Sequence, residues 1–366
     1  MRYTGNGIGG SNPPASENTN SIYFMEKFPE QEDKENPESE PRYKPGEYRV
    51  EIPIETAKQD IEKNFSDLKV GKIEYLSEGM GSTAFLINES IVFRFAKNEK
   101  ADASLEKEIK ALPEIQKRVD LSIPVFEHAG KQHNQFRMVG YKKIEGESLK
   151  KSDLVSPKGK IDEEIAKQLT TFFQQLHSID VKTAKSWGLR EQNFRSQYEN
   201  ELQDARDHVY LLVEQKYPTD AQKIKDYIEQ LFAGYLGNHE NFEYKPAILH
   251  GDLEAGHIIF DEQSRKIAGI IDWGGVRIGD PDYDLFRPYS HYGSEFIEEF
   301  LKHYPHPAPE RLRKKLDFFF RAQMVHRAVR PIMLGDQKMT QWHLERLRKQ
   351  ALGIGYWYHE LREESK

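Results

Sequence analysis

Residues 248–261 read ILHGDLEAGHIIFD, and residues 267–274 read IAGIIDWG. In each stretch an aspartate follows a short apolar run of the kind that forms a buried strand: Asp252 in the first and Asp272 in the second. The apolar residues that end the first stretch and begin the second predict a β-hairpin with a tight turn. Because the two ends of a hairpin meet, we expect His257 and Asp272 to be spatial neighbours, with Asp252 across a short loop from both.

The composition of the chain narrows its class. It has 366 residues, 37% hydrophobic and 31% charged, which is typical of a globular protein with a highly charged surface and enough length for two lobes. The sequence has no cysteine, so disulfides, thiolate catalysis and cysteine-bound zinc are excluded. No apolar run approaches the roughly 18 residues of a bilayer span, and the N-terminus lacks the apolar segment of a secretory signal. We therefore expect a cytoplasmic location.

The charge is concentrated near the N-terminus. The net charge is −7, and residues 30–40 contribute −5 of it through six acidic side chains against one lysine, which leaves −2 for the remainder. No basic field is left to favour nucleic acid or an anionic membrane as a partner. Residues 1–50 are rich in Gly, Pro, Asn, Ser and Glu, and we predict a disordered tail because so few apolar residues cannot offset the entropy of ordering. The change in composition near Met25 predicts a native start there, with part of the preceding segment not native.

Hydrophobic periodicity divides the rest into a sheet-rich lobe over residues 51–142 and a mainly helical lobe over residues 143–366. After a helix at Ile54–Leu68, residues 70–141 follow the order strand, strand, strand, helix, strand, strand. The predicted bounds are Lys72–Leu76, Thr83–Asn88, Ser90–Ala96, Ala101–Val119, Val125–Ala129 and Phe136–Tyr141. In the second lobe we predict helices at Ile161–Ile179, Arg195–Tyr217, Ala221–Leu236 and most of Pro281–Ser365, with the hairpin strands at Ile258–Phe260 and Ile267–Ile271. The fold class is therefore α+β, with a small antiparallel sheet in the first lobe.

The segments around Asp252 resemble one known family. His250-Gly251-Asp252-Leu253-x-x-Gly256-His257-Ile258, followed by Ile270-Ile271-Asp272-Trp273-Gly274 and by Ile278–Leu285, is similar to the aminoglycoside phosphotransferase superfamily. The closest-looking branches are the aminoglycoside 2″-phosphotransferases and the macrolide 2′-phosphotransferases, which can carry histidine at the position of His257. The resemblance covers roughly residues 70–350. It implies a bilobal protein-kinase-like fold, with a nucleotide-binding first lobe and with the catalytic loop and acceptor site in the second.

The resemblance also implies roles for individual residues. It implies Asp252 as the catalytic base and His257 with Asp272 as ligands of Mg²⁺, while His250 braces the loop through hydrogen bonds and Asp284 buttresses it. Such a set suits phosphoryl transfer, in which catalysis is mostly positioning and charge neutralisation. Because Mg²⁺ prefers oxygen ligands, an alternative is that His257 only hydrogen-bonds a phosphate or a carboxylate.

A nucleotide site is expected in the sheet lobe. Gly79, Gly81 and Ser82 lie between the first two predicted strands, where small residues let the backbone approach phosphates closely. The third glycine of a full kinase glycine-rich loop is absent. Since hairpin turns with glycine are common, an ordinary turn is the alternative interpretation.

Arg94 occupies the slot in which protein kinases carry a phosphate-gripping lysine. It lies between Phe93 and Phe95 in a predicted strand, so it points away from both and towards the cleft. Its partner on the following helix should be Glu108, with Glu106 as the second choice, unless both acids belong to a solvated helix face. A planar, permanently charged guanidinium suits phosphates.

The acceptor site is less defined by the sequence. A polycationic aminoglycoside needs a carboxylate-lined cleft, and the candidates are Glu199, Glu201, Asp204, Asp207 and Glu214 on one predicted helix, with Glu254 in the loop after Asp252. A macrolide site would be more apolar, and the aromatic candidates for it are Trp342, Tyr356, Trp357 and Tyr358. Solvated helix charges and ordinary core packing are the alternatives. His326, Arg327 and Arg330 have no assignable role.

Together these features predict an enzyme that moves the γ-phosphate of ATP or GTP to a hydroxyl of a small molecule, with Mg²⁺ as cofactor. The acceptor suggested by the resemblance is an aminoglycoside or macrolide antibiotic, and we expect a monomer. A metabolite kinase of the same fold, for choline, homoserine or a sugar, is the first alternative. A non-catalytic nucleotide-binding pseudokinase is the second, although it predicts loss of a carboxylate and both Asp252 and Asp272 are present. A protein kinase is disfavoured, because Gly251 stands where those enzymes carry arginine.

Overall fold

The computed structural model describes residues 52–79, 81–154 and 160–354. The predicted disorder of residues 1–50 and the aromatic candidates Tyr356, Trp357 and Tyr358 lie outside the described residues.

The first lobe is built on one antiparallel sheet. Its strands are β1 (Ile73–Glu78), β2 (Ser82–Ile87), β3 (Ile91–Ala96), β4 (Phe126–Lys131) and β5 (Arg137–Lys142), and its helices are α1 (Ile54–Asn64) and α2 (Glu99–Gln116). The five strands pair in the order β1-β2-β3-β5-β4. Phe85, Phe93 and Phe95 are buried with Ala57 and Ile61 of α1 in one apolar cluster. The predicted order of elements in this lobe is confirmed.

Helix α1 ends earlier than the predicted Leu68. Phe65 leaves the helix with φ −132°, and its ring packs 5.7 Å from that of Phe93. The preceding side chain, Asn64, exchanges hydrogen bonds with the backbone of Lys131 at 2.9 and 3.2 Å. Tertiary packing on the β4–β5 hairpin, rather than helix propensity, therefore sets this boundary.

Helix α2 is shifted towards the N-terminus relative to the predicted Ala101–Val119. Asn98 caps it, because its side-chain oxygen accepts a hydrogen bond from the amide of Ala101 at 2.9 Å. At the other end, the side chain of Gln116 donates a hydrogen bond at 3.3 Å to the carbonyl of Val119, which lies just beyond the helix.

The second lobe is mainly helical. Its helices are α3 (Glu163–Ser178), α4 (Val181–Ser186), α5 (Phe194–Asp204), α6 (Tyr210–Lys216), α7 (Ala221–Leu236), α8 (Phe286–Tyr292), α9 (Ser294–Leu301), α10 (Pro309–Met333) and α11 (Gln337–Ala351). The helix predicted as one unit at Arg195–Tyr217 is α5 and α6 joined by a π-helical segment, Ala205–Val209. Within the described ranges, each helix falls short of the length and apolar character needed to cross a bilayer.

Short strands in this lobe bring together the loops that form the site. They are β6 (Glu147–Ser148), β7 (Ala247–Leu249), β8 (Ile258–Asp261), β9 (Lys266–Ile270) and β10 (Arg277–Gly279). β8 and β9 form the predicted hairpin, with Ile258 opposite Ile270, while β7 pairs with β10. Trp273 follows β9, is fully buried, and donates from its indole nitrogen to the carbonyl of Ile270 at 3.0 Å.

A buried charge cluster ties α10 to the segment after β10. Lys315 is 2% exposed, and its Nζ lies 2.5 Å from Asp280 Oδ2 and 2.6 Å from Asp282 Oδ2. His306 Nε2 lies 2.8 Å from the other oxygen of Asp282. Buried charges persist in a fold only when they are paired in this way, and removing one partner leaves the others unsatisfied.

We therefore expect Lys315→Ala to lower the free energy of unfolding by about 3–5 kcal/mol, because two buried carboxylates lose their counter-ion. Urea unfolding followed by circular dichroism measures this. The matched control is Lys314→Ala, next to it on α10 and exposed, which should change stability by less than about 0.5 kcal/mol. Equal effects of the two substitutions would contradict the pairing argument.

Candidate active site

The loop that carries Asp252, residues 250–257, is held by a single carboxylate. Asp284 accepts hydrogen bonds from the amides of His250 at 3.0 Å and Gly251 at 2.7 Å. Gly251 has φ +80°, and a Cβ there would lie 2.5 Å from the carbonyl oxygen of Gly275, so the turn requires glycine. The sequence resemblance implies that Asp284 supports the catalytic loop, and its carboxylate lies against the backbone of that loop.

His250 fixes the same loop from inside. Its Nε2 lies 3.0 Å from the carbonyl oxygen of Ile271, and its Nδ1 accepts from the amide of Asp252 at 3.3 Å. Since a carbonyl only accepts, Nε2 carries the proton and the ring is neutral. Burial lowers the pKa of His250, which agrees with a neutral ring. His250 thus connects the Asp252 loop to the end of the β8–β9 hairpin.

His257 and Asp272 lie side by side, as the hairpin predicted. His257 Nε2 is 3.5 Å from Asp272 Oδ2, and its Nδ1 is 2.7 Å from the carbonyl oxygen of Asp252. Nδ1 must donate to that carbonyl, so in the neutral ring Nε2 is an unprotonated lone pair facing the carboxylate. Asp272 itself adopts left-handed backbone, φ 59°, which aspartate tolerates better than most residues.

Arg94 reaches this site from the sheet lobe. Its Nη1 lies 2.7 Å from Oε2 of Glu108, a fully buried side chain, and its Nη2 lies 3.5 Å from Asp272 Oδ1. The predicted partner is therefore Glu108. The second choice, Glu106, pairs at the surface with Lys110 instead, at 2.9 Å.

The charged side chains at this site shift one another's pKa values. Burial raises the pKa of Glu108, and Arg94 opposes that rise. For Asp272, burial raises the pKa, but the nearby positive charge, chiefly that of Arg94, outweighs it, and the net shift is downward. Asp272 therefore stays ionised at neutral pH.

The glycine-containing turn between β1 and β2 sits above α2. The amide of Gly79 donates to the carbonyl of Ser82 at 2.9 Å, and Lys97 pairs with Glu78 and donates to the carbonyl of Gly79 at 3.3 Å. A Cβ on Gly81 would lie 3.2 Å from Ala101 at the start of α2. The position of Gly81 therefore favours a small residue.

One residue at the site was missed by the sequence reasoning. Arg287, in the first turn of α8, places Nη2 2.8 Å from Asp252 Oδ1 and Nη1 3.1 Å from Glu254 Oε1. No sequence motif marks it. The available signal was its position one helical turn after Asp284, which is itself anchored to the Asp252 loop.

A polar cavity of about 450 Å³ opens beside α5. Its lining consists of Glu191, Gln192, Asn193, Ser196, Gln197, Asn200, Glu201, Asp204 and His326. Two of the predicted acceptor acids, Glu201 and Asp204, thus face the cavity. The other candidates lie elsewhere: Glu199 near Arg195, Asp207 beside Gln203, Glu214 against Lys225 and Glu254 against Arg287. His326, which had no assigned role, lines the cavity, whereas Trp342 lies against Arg346 on α11, 4.2 Å from its guanidinium.

Tyr283 lies beside Arg277, whose guanidinium is 5.0 Å from the centroid of its ring. Its hydroxyl is buried, which raises its pKa; Arg277 and Arg287 act in the opposite direction, and the charges of Asp252 and Glu201 add to the rise. Tyr283 therefore lies within electrostatic reach of both carboxylates.

The donor set limits how a metal ion could be held. Among residues 52–79, 81–154 and 160–354, no group of three or more His, Asp or Glu side chains is arranged to hold a metal ion. His257 and Asp272 supply two adjacent donors. Mg²⁺ commonly binds through one or two protein ligands, with substrate phosphates and water completing its shell, so these two residues fit a phosphate-bound Mg²⁺.

The architecture and the site define a class of protein. A five-stranded lobe with an arginine–glutamate pair, joined to a helical lobe with a His-Gly-Asp loop and a second aspartate, is the arrangement of kinase-like phosphotransferases. A family model described as the phosphotransferase enzyme family, APH, matches residues 72–314. The chain belongs to this family.

Solved structures of antibiotic phosphotransferases share this fold. The GDP and kanamycin complex of APH(2″)-IIIa is 27% identical, with a TM-score of 0.74, covering 81% of this chain and 98% of that one. The GDP complex of wild-type aminoglycoside 2′-phosphotransferase-IIIa is 26% identical, with a TM-score of 0.75, covering 82% and 99%. Macrolide 2′-phosphotransferase type I is 17% identical, with a TM-score of 0.61 and coverage of 81% and 98%, and is similar in fold alone. The predicted bilobal protein-kinase-like fold is confirmed.

Glu201, which lines the cavity, makes the free energy of unfolding depend on pH. Burial raises the pKa of Glu201 to about 8, and the charge of Asp204 adds to the shift. Because this folded-state pKa lies above the unfolded value, folding favours the protonated acid. The stabilisation is complete below about pH 4.5 and is lost as the pH rises through about 8.

We therefore expect the wild type to lose roughly 2–4 kcal/mol of unfolding free energy relative to Glu201→Gln between pH 5 and pH 9. Urea titrations at several pH values measure the difference. Glu199→Gln, on an exposed position of the same helix, is the control and should leave the pH dependence unchanged. A pH-independent difference between wild type and Glu201→Gln would refute the raised pKa.

Proposed function

We propose that this protein transfers the γ-phosphate of ATP or GTP to a hydroxyl group of a small polar molecule, with an aminoglycoside as the first candidate. The observation that carries the proposal is the convergence of Asp252, His257, Asp272 and Arg94 where the two lobes meet. Phosphoryl transfer demands little covalent chemistry from the protein, since positioning and charge neutralisation provide most of the acceleration.

Each of these residues has a part in the proposal. Asp252 orients the acceptor hydroxyl and takes its proton as the bond from the hydroxyl oxygen to the γ-phosphorus forms. The bond from the γ-phosphorus to the bridging oxygen breaks in the same step, and the nucleoside diphosphate leaves. Arg94, held by Glu108, presents a fixed positive charge to the nucleotide phosphates. The turn containing Gly79, Gly81 and Ser82 is proposed to lie over the nucleotide phosphates, where its small residues let the backbone approach closely.

His257 and Asp272 are proposed to hold Mg²⁺ together with the nucleotide phosphates. The ion, when bound, would supply charge neutralisation on the phosphate oxygens. His257 Nε2 and Asp272 Oδ2 lie 3.5 Å apart, and two potential ligand atoms side by side support direct ligation more than a hydrogen bond donated to phosphate. That donation would require the ring to carry a second proton.

The acceptor is proposed to bind in the cavity beside α5. Its lining is made of amides, hydroxyl groups, carboxyl groups and a histidine, which suits a ligand with many hydroxyl and amino groups better than a macrolide ring. APH(2″)-IIIa, the relative whose complex contains kanamycin, supports the same choice. A sugar or amino-alcohol metabolite fits the same lining and is the second candidate. A quaternary ammonium ligand such as choline is disfavoured, because among the described residues no Phe, Tyr or Trp lines the cavity.

Replacing the proposed base tests the reaction. We expect Asp252→Asn to lower kcat by roughly 10³-fold, since proton acceptance and hydroxyl orientation are both lost, while Mg²⁺–nucleotide affinity and the unfolding midpoint stay nearly unchanged. The assay couples nucleoside diphosphate release to acceptor phosphorylation over a panel of aminoglycosides, macrolides and sugars. Asp226→Asn, exposed on α7, is the matched control. Retained turnover in Asp252→Asn would reject the proposed function.

The metal assignment has a separate test. We expect Mg²⁺ to increase the thermal shift given by ATP or GTP, because ligand binding to the folded state raises its stability. In Asp272→Asn the Mg²⁺-dependent part should vanish, and in His257→Ala the Mg²⁺ concentration at half-effect should rise at least about tenfold. His239→Ala, at an exposed histidine, is the control. An unchanged half-effect concentration in His257→Ala would remove His257 from the ligand set.

A further inference from the structure

We propose that Arg287 is a positioning residue for Asp252, and that Glu254 sets its position by sharing the guanidinium. The inference rests on the proposed function, because it concerns the side chain assigned there as the base. The guanidinium spans two carboxylates of the same loop, at 2.8 Å from Asp252 and 3.1 Å from Glu254.

The carboxylate of Asp252 depends on this contact. Its backbone is fixed by His250 and His257, but among the described residues no other side chain contacts the carboxylate itself through an ion pair or hydrogen bond. Its Oδ1 is buried, with the guanidinium of Arg287 2.8 Å away. Without Arg287, rotation about the last side-chain bond of Asp252 is opposed only by weak packing, and the direction of its oxygens is lost.

Arg287 is itself held in place. Its side chain is 18% exposed, and it begins a helix directly after the Pro281–Leu285 turn that presents Asp284 to the same loop. The contact with Asp252 therefore differs from a mobile surface ion pair, which contributes little. Helix α8 and the Asp252 loop are connected twice, once through backbone amides and once through this guanidinium.

Glu254 has a distinct part in the arrangement. A guanidinium placed on Asp252 alone would neutralise the group that has to accept a proton. Because Glu254 binds Nη1 of the guanidinium, only Nη2 contacts Asp252, and it does so at Oδ1. Oδ2 of Asp252 is then left for the acceptor hydroxyl. Glu254 thus acts through Arg287 and Asp252, although the sequence placed it among acceptor-binding candidates.

The kinetic constants distinguish positioning from direct binding. If Arg287 bound the acceptor, its loss would raise the KM for the acceptor; if it bound phosphate, its loss would raise the KM for the nucleotide. Positioning of the base predicts a fall in kcat with both KM values within about twofold, because only the transition-state geometry is affected.

The experiment compares Arg287→Gln and Arg287→Lys with the wild type. We expect kcat to fall about 10–100-fold in Arg287→Gln, and a smaller loss in Arg287→Lys, whose single ammonium can pair with one carboxylate but cannot span both as a fork. The matched control is Arg313→Gln, because Arg313 also bridges two carboxylates, Glu298 and Glu310, at 2.6 Å each, near the start of α10 and without a contact to the Asp252 loop among the described ion pairs. It should leave all constants unchanged.

Glu254→Gln and the double variant complete the test. We expect Glu254→Gln to lower kcat about 3–10-fold, and to have little further effect in the Arg287→Gln background, because its action passes through the guanidinium. Independent, multiplicative effects of the two substitutions would overturn the shared-guanidinium arrangement. A wild-type or increased kcat in Arg287→Gln, or a loss confined to either KM, would overturn the positioning role.

Failure of this inference is distinguishable from failure of the proposed function. An inactive Asp252→Asn beside a fully active Arg287→Gln would overturn only the positioning role. An active Asp252→Asn would overturn both. Nucleotide-binding stoichiometry, measured on every variant, counts the folded sites, so a loss of kcat caused by unfolding would be visible as a loss of sites and would count against positioning.

Discussion

The structure around the site depends on one carboxylate that accepts two backbone hydrogen bonds. Asp284 is buried, and it holds the amides of His250 and Gly251 while His177 contacts its Oδ2 at 3.1 Å. Bonds from backbone amides to an ionised carboxylate are stronger than neutral ones, and burial increases their strength further. The direction in which Asp252 leaves the turn follows from this constraint, because the turn has no freedom to rotate.

A second constraint joins the two lobes before any ligand arrives. Glu108 is fully buried, so its charge requires a partner, and Arg94 is the partner within reach. Ser104 on the same helix donates at 3.0 Å to the carbonyl of Gly274, two residues after Asp272. The sheet lobe thus meets the Asp272 turn through α2, and the cation that faces the cleft has its place fixed in advance. Such preorganisation avoids a cost of rearrangement during reaction.

Much of this was predictable from the sequence because the signals are local. Strand alternation gave the direction of Arg94, and hairpin closure brought His257 to Asp272. The ends of α1 and α2 were not predictable, since packing of Phe65 and the side chain of Asn98 decide them. Arg287 was missed for a related reason.

The contact of Arg287 with Asp252 joins residues far apart in the chain. The direction in which Arg287 leaves α8 depends on the short 3₁₀ turn before the helix, which hydrophobic periodicity does not define. The acids that face the cavity were likewise predictable only as a group. The helix that carries them is interrupted by the π-helical segment Ala205–Val209, so the face on which each acid lies cannot be counted from an ideal helix.

That π-helical segment makes the two halves of the helix separable. Each residue added to or removed from a helix turns everything beyond it by about 100°, and a π segment is a place where one residue can be accommodated without breaking the rod. Residues of the upstream half line the cavity, whereas Glu214 of the downstream half forms an ion pair with Lys225 of α7. A change of length by one residue at Ala205–Val209 would therefore re-aim one half against the other while the rest of the lobe kept its packing. Relatives with different acceptors could diverge by this route, through insertion and deletion as well as through substitution.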